Sequence, residues 1–225
     1  MDQELLNSVS SYTSKLLRNN FGKGPQSCQS IMNKTHFVTY IRGFISPMEE
    51  VLMNRGQKIE VEKARNFIIN HLLDELKGVI QVSLNREVQA YYQDWNFPNN
   101  SGILMYTFEE DEQIERGKPK IKSNVFEAEI ARISKLVQKI PDEITIYEIS
   151  PSIFLVERKG ILIPIEKALI KRGFEEELIL TKDTLEKEYF HRYGKFDEIF
   201  QHQVKDIFID WDLKNDKSLM AFILW

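Results

Sequence analysis

An internal repeat runs through this 225-residue chain, so its second half is predicted to fold much as its first half does. At an offset of 117 residues, an ungapped comparison aligns Phe37 with Phe154, Gly43 with Gly160, Pro47 with Pro164, Glu49 with Glu166, and Arg55-Gly56 with Arg172-Gly173. After a one-residue deletion the offset becomes 116, and Asp94-Trp95 aligns with Asp210-Trp211. The repeat therefore predicts two copies of one folding unit.

Each copy predicts the same order of elements: an amphipathic helix, two strands, a short helix, a long helix and two further strands. The first helix has a 4-3-4 apolar spacing, set by Leu5, Val9, Tyr12 and Leu16. The short helix begins with a capping box from Ser46 to Glu49 and ends at Arg55 and Gly56. The pattern favours an α+β fold in which each copy has an antiparallel four-stranded sheet with helices on one face.

The repeat predicts that the chain is divided into three segments. We expect a first α+β domain over residues 1–110, a charged linker over 111–123 and a diverged second domain over 124–225. Because helices on one face leave the other face or an edge of the sheet uncovered, the two copies are expected to pack as a pseudo-dimer. In the second copy, Ile163 replaces the capping residue Ser46, so that helix is predicted to start frayed or more buried.

Composition argues against several classes of protein. The net charge of −4 and the pI near 5.7 do not suit a broad nucleic-acid surface, which needs clustered Lys and Arg. The single cysteine, Cys28, excludes an internal disulfide. The longest apolar run, residues 219–225, is too short to span a bilayer, and the first residues lack the pattern of a secretory signal. We therefore expect a cytoplasmic protein without direct membrane insertion.

Two segments of the first copy carry a resemblance to a known family. They are Phe21-Gly22-Lys23-Gly24-Pro25, and the run from Arg42 to Leu52 that contains the glycine turn and the Pro-x-Glu helix. Together they resemble the MpsC family, named for a Na⁺-translocating, membrane-potential-generating system. The resemblance covers residues 3–110, and residues 124–225 look like a diverged second copy that lacks GKGP and the serine cap.

The resemblance implies an accessory role beside membrane transporter subunits, in ion or inorganic-carbon uptake. It brings no catalytic residues and no cofactor. The candidate ligand- or partner-binding residues are Gly22, Lys23, Gly24, Pro25, Glu49, Arg55, Glu166 and Arg172.

Each candidate also has a structural interpretation. The GKGP loop does not fit the Walker pattern and follows a helix, where a glycine cap and a proline stop explain it. Glu49 is explained by the capping box, although Glu49 and Glu166 facing each other across a pseudo-twofold axis is the alternative. Asp94-Trp95 and Asp210-Trp211 suit hairpin ends.

No catalytic or metal-binding constellation is apparent in the sequence. The four histidines lack metal-ligand spacing, and Cys28 has no basic partner near it in the sequence. Asp210, Asp212 and Asn215 do not fit a calcium loop. Our hypothesis is a non-enzymatic cytoplasmic accessory or binding protein without a cofactor or metal. The alternative is a sensor that holds a small molecule between the two copies, with the GKGP loop as a lid.

Overall fold

The computed structural model describes residues 3–109 and 121–225. The chain divides into two compact units, Met1–Ile114 and Glu115–Trp225, which are called unit 1 and unit 2 below. Most of the predicted linker, 111–123, lies outside the described residues. The predicted domain boundaries therefore stay a prediction.

Unit 1 contains three helices and four strands in its described part. Their bounds are α1 Gln3–Phe21, β1 Ser27–Met32, β2 His36–Arg42, α2 Pro47–Asn54, α3 Lys58–Leu84, β3 Val88–Asn96 and β4 Ser101–Phe108. The helix α3 is the predicted long helix, and Asn85 ends it in the left-handed conformation with φ of +49°.

Unit 2 repeats this order and adds a short helix before its last hairpin. The bounds are α4 Ser123–Val137, β5 Glu143–Ser150, β6 Ile153–Lys159, α5 Pro164–Lys171, α6 Glu175–Tyr193, α7 Phe196–Phe200, β7 Val204–Asp212 and β8 Lys217–Leu224. A 3₁₀ turn, Leu213–Asn215, joins the last two strands.

The two sheets have the same topology. All pairings are antiparallel, and the strand orders are β1-β2-β4-β3 and β5-β6-β8-β7. Corresponding pairs also keep their register, since Phe37 lies opposite Tyr106 and Phe154 lies opposite Phe222. The predicted α+β fold with two antiparallel four-stranded sheets is confirmed.

The core of unit 1 lies between the helices and one face of its sheet. Phe37 and Ile41 of β2 and Leu104 and Tyr106 of β4 alternate along their strands and point to this core. Unit 2 builds its own core in the same way, from Phe154, Val156, Met220 and Phe222 among others. Each unit thus buries its own apolar residues.

The predicted buried stripe of α1 is wrong at Tyr12. This side chain is 36% exposed, and its hydroxyl donates to Glu75. The position next to it, Thr13, is buried instead, because its hydroxyl donates to the Val9 carbonyl oxygen at 2.9 Å and needs no water. Thr13, whose hydroxyl is hydrogen-bonded within its own helix, therefore takes the place of the larger Tyr12 on the buried face.

The helix α7 has no counterpart among the described residues of unit 1, and it was not predicted. It is five residues long, which is too short for a helical periodicity to be recognised. Its two aromatic residues fill the core: Phe200 lies 4.8 Å from Phe126 and Phe196 lies 4.8 Å from Phe222, measured between ring centroids. Aromatic packing therefore holds this segment in place.

Candidate functional site

The start of α2 is built as the sequence predicts. The Ser46 amide donates to Glu49 Oε2 at 2.8 Å, and the Glu49 amide donates to Ser46 Oγ at 3.3 Å. In α5 half of this box remains: the Ile163 amide donates to Glu166 Oε2 at 2.9 Å, while isoleucine offers no acceptor in return.

Glu49 also forms a buried ion pair with a residue that the sequence did not single out. Arg65 of α3 donates to both carboxylate oxygens, through Nε at 2.8 Å and Nη2 at 2.6 Å, and also to the Phe44 carbonyl at 3.1 Å. Its guanidinium lies 4.6 Å from the centroid of the Trp95 ring. Burial alone would raise the pKa of Glu49, but the hydrogen bonds and charge of Arg65 hold it below its ordinary value. Both carboxylate oxygens of Glu49 are therefore hydrogen-bonded.

The same pair recurs in unit 2 with a lysine. Lys182 takes the place of Arg65 at the offset of 117 and lies 3.0 Å from Glu166. It is also 3.0 Å from Glu186, which in turn lies 2.6 Å from Arg158. Two acids and two bases are thus buried together, and the charges within this cluster balance.

The two arginines predicted for the site lie elsewhere. Arg55 and Arg172 are exposed and cap the C-terminal ends of α2 and α5. The basic partners of Glu49 and Glu166 are Arg65 and Lys182 instead. Arg55 and Arg172 therefore belong to the surface, and their role in binding stays a prediction.

The GKGP loop turns the chain from α1 toward β1. Gly22 follows the helix with φ of +72°, a conformation that favours glycine. The next side chain, Lys23, reaches back and donates from Nζ to the Ile45 carbonyl oxygen at 2.9 Å. This bond ties the loop to the turn that precedes α2.

A cleft of about 370 Å³ opens between this loop and α2. It is lined by Lys23, Ile45, Glu50, Met53, Asn54 and Asn100. One cation, one carboxylate and two amides offer both donors and acceptors, and Met53 and Ile45 add apolar surface. This arrangement can hold a small polar molecule or a partner side chain.

Asn100 builds one wall of the cleft. Its φ of +48° lies in the left-handed region, which asparagine adopts more readily than most residues. Its side-chain oxygen accepts from the Phe44 and Ile45 amides at 2.6 and 2.8 Å, and its carbonyl accepts from Gly43 at 2.7 Å. These three hydrogen bonds hold Asn100 in place at the cleft.

Unit 2 keeps this scaffold but exchanges the charges. Asp216, with φ of +52°, stands at the position of Asn100 and accepts from the Leu162 amide at 2.7 Å. Lys167 stands at the position of Glu50 and lies 2.8 Å from Asp216. Two positions that line an open cleft in unit 1 are thus joined by an ion pair in unit 2.

The described residues show no metal site. Residues 3–109 and 121–225 contain no group of three His, Cys, Asp or Glu side chains that could hold an ion. Burial raises the pKa of Cys28 to about 12, so its thiol is protonated at neutral pH and a poor nucleophile. Among the same residues, no helix has both the length and the apolar composition needed to cross a membrane.

Sequence reasoning found Glu49, Glu166 and the GKGP loop but missed Arg65, Lys182 and Asn100. The repeat itself carries the signal that finds two of them, because a basic residue recurs at positions 65 and 182, at corresponding places in α3 and α6. Asn100 aligns with Asp216 at the offset of 116, which also marks a shared polar role.

The comparison with known protein families gives a match for unit 1. Residues 2–110 match the family described as Na⁺-translocating membrane potential-generating system (MpsC). That description names no catalytic activity. No curated protein and no solved structure matches the chain. The GKGP loop and the capped helix α2 lie inside the matched residues, so unit 1 is the part of the chain that matches the MpsC family.

Proposed function

We propose that the chain is a non-enzymatic accessory protein of a Na⁺-translocating membrane system, and that it acts from the cytoplasm by binding a membrane-embedded subunit. The observation that carries this proposal is the family match of residues 2–110, whose description names such a system. The site chemistry also suits binding rather than catalysis, because Glu49 and Glu166 are already bonded by buried cations.

The helix α2 offers apolar surface for this contact. Met48 and Val51 are 71% and 54% exposed, and their i, i+3 spacing places them on one side of the helix. Lys23 and Glu50 line the cleft beside the same helix. Apolar side chains supply contact area, while charges nearby set the orientation of a partner. We therefore assign the partner contact to α2 and the GKGP loop.

The test is recovery of the partner from the native membrane fraction. Tagged chain is incubated with detergent-solubilised membranes, and the subunits of the Na⁺-translocating system are quantified by mass spectrometry. Met48→Glu places a charge in the contact and is expected to reduce their recovery about tenfold, in line with the loss of one interface anchor.

The matched control is Ile165→Glu. Ile165 stands at the position of Met48 in unit 2 and is 65% exposed, so this variant adds the same charge outside the proposed contact. Its recovery of the subunits should equal that of the unaltered chain. Equal loss in both variants, or a Na⁺-dependent membrane potential that is unchanged in cells lacking the gene, contradicts the proposal.

A second candidate function is a small-molecule sensor. The cleft of about 370 Å³ in unit 1 favours it, because its walls combine Lys23 with Glu50 and two amides. The version with a ligand between the two copies stays a prediction.

A thermal-shift screen against nucleotides, bicarbonate and organic acids tests the sensor. A ligand at 100 times its dissociation constant adds about 2.7 kcal/mol to the stability of the folded state. Lys23→Gln should abolish the shift, whereas Lys171→Gln, which removes an exposed lysine of unit 2, should retain it. A screen without any shift rejects this candidate.

A further inference from the structure

A second pocket lies beside Pro25, at the end of the GKGP loop. It has a volume of about 310 Å³ and is formed between α1 and the start of β1. Its polar lining comes mainly from Ser11, Ser14, Lys15, Arg18, Gln26 and Ser27. No residue of this lining is a carboxylate. The pocket is therefore positively charged and rich in hydrogen-bond donors.

One face of α1 supplies four of these side chains. Ser11, Ser14, Lys15 and Arg18 are spaced i, i+3, i+4 and i+7, which places them side by side on the helix. This face lies apart from the buried one formed by residues such as Val9 and Leu17. Two hydroxyls and two cations thus face outward together.

The two cations are free to bind a ligand. Within residues 3–109 and 121–225, neither Lys15 nor Arg18 has an ion-pair partner. In unit 2, by contrast, Arg132 of α4 lies 2.7 Å from Glu129, and Lys139 lies 3.0 Å from Asp142. The absence of a carboxylate near Lys15 and Arg18 leaves their charge for an external anion.

The GKGP loop leaves room for Arg18. A Cβ atom added to Gly24 would lie 2.8 Å from Arg18 Nε, closer than a Cβ atom normally approaches another heavy atom, so Arg18 would have to shift. Glycine at this position therefore allows the guanidinium to lie against the loop, at the edge of the pocket. Pro25 follows and lines the pocket with Gln26.

Two effects could oppose an anion here, and both are small. The C-terminal end of α1 carries about half a negative charge, and its influence fades within the last turn. Two full positive charges outweigh it. The Cys28 thiol, which also lines the pocket, stays neutral because burial raises its pKa to about 12. It therefore adds no negative charge.

From this geometry we infer that the pocket between α1 and β1 binds a phosphate group, with Arg18 and Lys15 as its cationic ligands and Ser11, Ser14 and Ser27 as hydroxyl donors. Arginine and lysine suit a phosphate because the first offers a fork of N–H donors and the second a compact charge. This inference is independent of the accessory role proposed above, since it concerns a different surface of unit 1.

The test is titration of the full chain with inorganic phosphate at constant ionic strength, with the heat of binding measured by calorimetry. Holding the ionic strength constant separates a site from general screening. Saturable binding is expected, and Arg18→Gln and Lys15→Gln should each weaken it about tenfold, as loss of one charged hydrogen bond predicts. A parallel titration with phosphatidylcholine vesicles containing phosphatidic acid tells whether the phosphate belongs to a free molecule or to a lipid.

Lys135→Gln is the matched control. Lys135 is an exposed lysine in the last turn of α4, so this variant removes the same charge from unit 2. It should bind phosphate as the unaltered chain does, and the melting temperatures of all three variants should stay close to that of the parent chain. Absence of saturable binding with both probes, or equal weakening in all three variants, overturns the inference.

Discussion

At the scale of single residues, the two units solve the same packing problem in different ways. Ile41 and Ile69 are buried in the core of unit 1, where they are 0% and 1% exposed. At the offset of 117, unit 2 places Arg158 and Glu186, which are equally buried and lie 2.6 Å apart. An apolar pair in one unit thus corresponds to an ion pair in the other.

This correspondence predicts how unit 2 responds to substitution. Glu186→Ile leaves Arg158 buried without its counter-charge and should lower the free energy of unfolding by about 3 kcal/mol. The double variant Arg158→Ile/Glu186→Ile recreates the pair of unit 1 and should recover most of that loss. Urea unfolding measures both. Arg172→Ile, at an exposed arginine, is the control and should change stability by less than about 0.5 kcal/mol. A double variant no more stable than the single one contradicts this account.

The Tyr106 hydroxyl is buried in unit 1 and has no hydrogen-bond partner among the described residues. Unit 2 has Phe222 at this position, in the same register with its neighbouring strand. Because an unpaired buried hydroxyl costs more than it contributes, Tyr106→Phe should raise the stability of the chain by about 1 kcal/mol in urea unfolding. A loss of stability would show that the hydroxyl has a partner in solution.

The ion pair of Glu49 and Arg65 makes stability depend on pH. Burial alone would raise the Glu49 pKa, but Arg65 holds it below the ordinary value of 4.5, so this stabilisation is present above about pH 4.5. It is lost as the pH falls through the lower, folded-state pKa. Glu49→Gln should lower the free energy of unfolding by about 3 kcal/mol at neutral pH, and the difference should shrink in acid. Urea unfolding from pH 7 to pH 3 measures it, and a constant difference would refute it.

At the scale of elements, local signals predicted local structure well. The capping box and the Arg55-Gly56 stop bracketed α2 to within a residue, because both signals act over one helical turn. The last two strands of each unit form hairpins with Asp94-Trp95 and Asp210-Trp211 near their ends, as expected. The face of α1 was harder to predict, since Thr13 is buried by a bond to its own helix rather than by apolar character.

The site could be predicted only in part. Glu49 and the GKGP loop stand out as motifs, but Arg65 lies 16 residues from Glu49 on another helix, and no local pattern joins them. The phosphate pocket was missed for a similar reason, because α1 meets Gln26 and Ser27 only after the chain has turned. Contacts between elements form only when the chain has folded, so a single sequence indicates them only indirectly.

The two short helices should respond differently to loss of their N-cap residue. Ser46→Ala removes the acceptor of the Glu49 amide and should lower stability by about 1 kcal/mol. Ile163→Ala in α5 removes no side-chain cap, so any loss of stability in this variant reflects the loss of apolar contacts alone. Thermal or urea unfolding combined with hydrogen exchange at the Glu49 and Glu166 amides separates the two effects. Equal protection of the Glu49 amide with and without Ser46 would contradict the role of the cap.

At the scale of the whole molecule, the predicted pseudo-dimer stays a prediction, and the strands suggest how to test it. In unit 1, Val38, Tyr40, Ile103 and Met105 alternate with the residues that face the helices, so the other face of the sheet is also apolar. Residues 1–110 expressed alone should therefore form a homodimer or aggregate. Light scattering after size-exclusion chromatography measures the mass, and a stable monomer would contradict the prediction.

The Lys167–Asp216 ion pair makes the two units differ in the surface that each offers to a ligand. It occupies in unit 2 the positions whose counterparts, Glu50 and Asn100, stay open to ligands in unit 1. A molecule that recognises the open surface thus meets it once in each polypeptide, and a titration should saturate at one equivalent. The duplication therefore doubles the fold without doubling this cleft, and we expect the chain to be monovalent for the ligand of the cleft.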